Sequence, residues 1–145
     1  MARHISFAEE MSAEKSLDIV IRVLAEIRKI YPHIPSQTVE CLLNVAREPG
    51  LTMQTLGKMT GLAQSSCSRN VAMLSKWHRL GKPGFDLVET IDDPHERRRK
   101  IIFLTSKGQQ VVSKALRHLD PRFELKDVTA EELVDGINRR ARKLT

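Results

Sequence analysis

Between Thr52 and Leu104 the chain carries two helical periodicities divided by Gly61, then two strand-like runs divided by an Asp-Pro turn. This order limits the fold more than any other feature. Thr52 is a helix-capping residue type, and Met53, Leu56 and Met59 follow at helical spacing up to Thr60. Gly61 stands where a left-handed backbone is needed, which few other residues tolerate. A second helix is predicted from about Gln64 to Trp77, with Val71, Leu74 and Trp77 inward. Two helices joined by a tight glycine turn form a helix-turn-helix pattern, which ordinary αα-corners share. Gly81-Lys82-Pro83-Gly84 reads as a loop, Leu87 to Ile91 as a strand and Asp92 to Glu96 as a turn. Arg99 to Leu104 reads as a second strand, with Ile101 and Phe103 on one face and Ile102 and Leu104 on the other. The expected fold is mainly α with a small β-hairpin, in the winged helix-turn-helix arrangement.

Helices flank this unit. After a loose leader over residues 1–11, Ser12 caps a helix carrying Leu17, Val20, Ile21, Leu24, Ile27 and Tyr31, with Ile19, Val23 and Ile30 as a second stripe. A helix apolar over so much of its circumference is covered on more than one side, by a partner subunit or by a monomer core. Pro32 and Pro35 break it, and Ser36 caps a helix from Gln37 to Arg47, with Val39, Leu42, Leu43 and Ala46 inward. Thr105 caps Ser106 to Leu119, which Asp120-Pro121 closes. The last helix, about Ala130 to Arg142, has a thin stripe of Leu133, Ile137 and Ala141. Three parts are expected: 1–35, a leader and dimerisation helix; 36–117, the winged unit; and 118–145, a C-terminal helical arm.

Charge narrows the partner. The net charge is +6, and residues 61–117, with eleven basic and five acidic side chains, hold the whole excess. A concentrated positive field suits a polyanion such as nucleic acid, or is a solvated basic face. The longest apolar stretch, Ile19 to Ile30, is interrupted by Arg22, Glu26, Arg28 and Lys29, which argues against a membrane span. Glu9 and Glu10 argue against an export signal, and the two cysteines, Cys41 and Cys67, fit a reduced cytoplasmic protein. His4, His33, His78, His95 and His118 lack metal-ligand spacing, and no cofactor motif is present. The acids Asp92, Asp93 and Glu96 read as turn chemistry rather than as an enzyme's carboxylates.

The start of the second helix offers Gln64, Ser65, Ser66, Ser68, Arg69 and Asn70. Short polar side chains allow close approach to base edges, and Gln, Asn and Arg make paired hydrogen bonds there. In Arg97-Arg98-Arg99-Lys100, alternation on a strand prevents all four from serving one contact. Arg97 and Arg99 are expected at DNA, Arg97 in the minor groove. Arg98 is expected to fold back on Asp92 or Asp93 and brace the turn; a solvated basic edge is the alternative. Cys67, near a helix N-terminus beside Arg69, is either a redox-sensitive thiol or a small residue packed under the helix.

The run Asp93-Pro94-His95-Glu96-Arg97-Arg98, then Ile101-Ile102-Phe103-Leu104-Thr105-Ser106-Lys107-Gly108, resembles the wing of MarR-type winged-helix regulators. Leu51 to Gly57, and Ser65 to Asn70 with Leu74, resemble the family's helix-turn-helix, so the likeness spans roughly 36–115. It implies a homodimeric, double-stranded-DNA-binding transcriptional regulator, a repressor by expectation, dimerised through its terminal helices and open to a small-molecule effector. Ser65, Ser66, Ser68 and Arg69 would face the major groove and Arg97 the wing's groove. Trp77 to Phe85 is longer than the family's short Gly-Leu-Val connection, enough to shift the hairpin relative to the helix. Two other uses fit the same residues: a protein-interaction module (an adaptor or antirepressor) that meets an acidic partner, and a sequence-independent architectural DNA binder.

Overall fold

A computed structural model describes residues 11–77 and 81–144. The leader up to Glu10, with His4, and loop residues His78, Arg79 and Leu80 lie outside the described residues. Helix α1 spans Ala13–Arg28 and begins where the Ser12 hydroxyl accepts the Lys15 N–H at 3.3 Å. Helix α2, Ser36–Arg47, is capped by no side chain: Pro35, with φ −64°, takes the cap position expected for Ser36. Leu51–Thr52 form a two-residue strand, β1, too short for local periodicity to predict.

Helix α3, Met53–Thr60, opens under the Thr52 hydroxyl, which accepts the Thr55 N–H at 3.1 Å, and stops at Gly61, φ +72°. Helix α4, Gln64–Leu74, ends three residues before the expected Trp77, because Ser75 is already extended. Trp77 is therefore not inward: it is 64% exposed and bridges Pro83 across the loop. Hairpin strands β2, Val88–Asp92, and β3, Lys100–Leu104, are antiparallel, and β1 adds to the other edge of β3, giving the order β1-β3-β2. As the central strand, β3 buries Ile101 to Leu104 on both faces.

The long connection from α4 to β2 folds back on α4. Phe85 and Leu87 donate their N–H groups to the carbonyls of Met73 and Leu74 at 3.0 and 2.8 Å. A Cβ on Gly84 would stand 1.8 Å from the Ser75 carbonyl oxygen, so only glycine permits this approach. Residues 84–87 thus close on the end of α4 itself. Cys41, Leu42, Val45, Leu56, Cys67, Leu74, Leu87, Val88 and Ile102 fill one core between the helices and the sheet.

Helix α5, Ser106–Leu116, is capped by Thr105, whose hydroxyl accepts the Gly108 N–H at 3.0 Å. It is shorter than the expected run to Leu119. The chain then returns beside it: Arg117 donates to the Phe123 carbonyl at 3.2 Å, and the Leu125 N–H donates to the Ser113 hydroxyl at 3.0 Å. Helix α6, Ala130–Lys143, begins with a capping box between Thr129 and Glu132 and buries none of its residues. Leu133 lies over Gly50, 3.2 Å from where a Cβ would stand, and Asn138, Ala141 and Arg142 border a groove with His95 of the hairpin turn.

Candidate nucleic-acid interface

One side of α4 is core. Cys67, Asn70, Val71 and Leu74 are buried, following helical spacing. The other side is solvent: Gln64, Ser65, Ser68 and Arg69 are exposed and Ser66 is half-buried. Ala63 precedes the helix and offers no side-chain cap, so the first N–H groups of α4 are left for solvent or an anion. The Arg69 Nε donates to the Ser65 carbonyl at 3.3 Å, which lays the guanidinium along the exposed first turns.

Asn70 does not belong to that surface. It is 8% exposed; its Oδ1 accepts the Thr38 hydroxyl at 2.6 Å and its Nδ2 donates to the Ser66 carbonyl at 2.8 Å. The expectation that it reads DNA is corrected: one residue after Arg69 the helix has turned about 100°, toward α2. Cys67 is fully buried beneath α4, its sulfur 3.9 Å from the Thr60 hydroxyl. Burial pushes the Cys41 thiol up to about 11.

The hairpin turn corrects a second expectation. Asp92 lies opposite Lys100 in the register and pairs with it. The next facing pair is therefore Asp93 and Arg99, closed by the Asp93 N–H donating to the Arg99 carbonyl at 2.8 Å. The Arg99 guanidinium meets the buried Asp93 carboxylate at 2.8 Å and Glu96 at 3.3 Å. Arg99, expected at DNA, thus performs the bracing expected of Arg98. Burial raises the Asp93 pKa, but the His95 N–H and the Arg99 side chain outweigh it and hold the carboxyl below the usual range. Arg97 and Arg98, inside the turn, are exposed and make no hydrogen bond or ion pair among the described residues.

Solved structures share this architecture. The MarR crystal structure superposes with a TM-score of 0.52 at 21% identity, over 92% of each chain. The chain has the MarR-type winged-helix fold. MepR from S. aureus in complex with DNA gives a TM-score of 0.59 at 17% identity over 90% of this chain and 94% of that one. NadR in complex with 4-hydroxyphenylacetate gives 0.55 at 15% identity over 99% and 89%. No protein-family model and no curated protein matches the sequence. In this MarR-type frame α4 is the second helix of the helix-turn-helix and β2–β3 the wing. Among the described residues, no helix is long and apolar enough to cross a membrane.

Proposed function

We propose that the protein is a double-stranded-DNA-binding transcriptional regulator, acting as a repressor, with α4 in the major groove and the wing in the minor groove. The observation that carries this reading is the solvent face of α4: Gln64, Ser65, Ser68 and Arg69 project beside uncapped N–H groups, a pattern suited to base edges and flanking phosphates. The basic excess lies in the same unit, and the MepR structure that shares the fold is a DNA complex. Arg97 supplies the wing's minor-groove contact, and Arg99 holds the turn that presents it.

A homodimer completes the reading. Leu17, Val20, Ile21 and Leu24 of α1 are 63%, 55%, 63% and 51% exposed, an apolar stripe along one helix that a second copy would cover. The two α4 helices would then meet half-sites about 34 Å apart on a pseudo-palindrome. A small-molecule effector fits a cavity of about 330 Å³ lined by Glu26, Lys29, Phe85, Lys107 and Lys114 between α1 and α5; the NadR structure is a complex with 4-hydroxyphenylacetate.

Selection of duplexes from a random pool, with the mass of the complex measured, tests the reading. An enriched palindromic motif and two chains per duplex are expected. Arg69→Ala should cost roughly 1–3 kcal/mol on the selected site and flatten its base preference. Binding without enrichment would mean an architectural role, and no duplex binding would leave a protein-interaction module.

A further inference from the structure

The wing is nearly self-neutralised. Residues 92–100 hold Arg97, Arg98, Arg99 and Lys100 against Asp92, Asp93 and Glu96, and the three acids take up Arg99 and Lys100. Two cations remain to meet a polyanion at the tip. The return of the chain beside α5 brings more. Helix α6 enters at Gly50 through Leu133, and its C-terminal end reaches the wing turn, where Asn138, Ala141 and Arg142 share a groove with His95.

The charges of α6 are segregated along this path. Glu131, Glu132 and Asp135 lie in its first half and Arg139, Arg140, Arg142 and Lys143 in its second, so the cationic half adjoins the wing. At about 100° per residue, Arg139 lies about 60° round the helix from the groove-lining Arg142, while Arg140 and Lys143 each lie about 150° from the middle of the face formed by Asn138, Ala141 and Arg142. Basic residues in a last turn also complement the helix dipole; that explains their position in the helix but not the placement of that end beside the wing.

We infer that the C-terminal end of α6 is a third duplex contact, in which Arg139 binds a backbone phosphate flanking the groove occupied by the wing. The inference rests on the regulator reading above. It makes the C-terminal helix part of the DNA-binding surface.

The test is the salt dependence of binding to the selected duplex. Each phosphate contact contributes roughly 0.9 to the slope of log affinity against log salt. The Arg139→Gln variant should therefore lose about 0.9 from the slope per bound protomer, with base preference retained. Arg140→Gln should leave the slope close to wild type. Equal slopes for the wild type and Arg139→Gln would overturn the inference while leaving the regulator reading intact. Failure of the wild type to bind any duplex would instead remove that reading. Should Arg139→Gln not fold, amide exchange on the wild type decides: DNA should slow exchange in residues 138–143 as well as in 64–70, and protection of 64–70 alone would overturn the inference.

Discussion

A buried amide has to find partners, and Asn70 finds them in Thr38 and in the Ser66 carbonyl of its own helix. The Thr38 hydroxyl is itself fully buried, so this pair fixes how α4 is rolled against α2 with no contribution from solvent. Removing the hydroxyl leaves the amide oxygen unsatisfied in the interior. Thr38→Val should lower unfolding free energy by about 1–3 kcal/mol, with Thr38→Ser close to wild type; urea unfolding measures both. Arg69, one position earlier, is exposed, so Arg69→Ala should leave the unfolding free energy close to wild type.

At the turn of the wing the buried carboxylate of Asp93 holds Arg99. The folded pKa of Asp93 lies below its ordinary value. Its stabilising contribution is therefore fully present above the unfolded value near pH 4, and is lost as pH falls through the folded one. Amide chemical shifts of residues 93–99 should move together below about pH 4, with α4 unaffected over the same step. In Asp93→Asn that transition should be absent, and the turn already loosened at neutral pH. A wing whose signals ignore acid until global unfolding would show that Arg99 and Asp93 do not govern it.

Across the whole molecule, α1 touches the winged unit mainly through α5. Ile27 is buried, and Glu26 faces Lys29, Lys114 and His118 at 2.8, 4.0 and 3.4 Å. Leu17, Val20, Ile21 and Leu24 project outward. Because Leu24 is 51% exposed, a charge there should not disturb the monomer's core. Leu24→Glu is expected to keep the helical circular-dichroism spectrum while sedimentation shifts from dimer to monomer. Affinity for a palindromic duplex should fall together with that shift.

The sequence alone determined whatever is settled within a few residues. Ser12, Thr52 and Thr105 each cap a helix by reaching an N–H three residues on, and Gly61 ends α3 with a left-handed backbone; these choices are local and were legible. The exposed half of α4 was legible too, because polar residues cluster at its start. Tertiary structure alone decided which neighbours face which. The amide of Asn70 turns inward because α2 sets Thr38 opposite it, and Arg99 rather than Arg98 braces the turn because the strand register pairs it with Asp93. Strand β1 exists only because β3 offers an edge, and α6 reaches the wing only because α5 stops early and the chain doubles back. Such pairings join residues far apart in sequence, and no local periodicity encodes them.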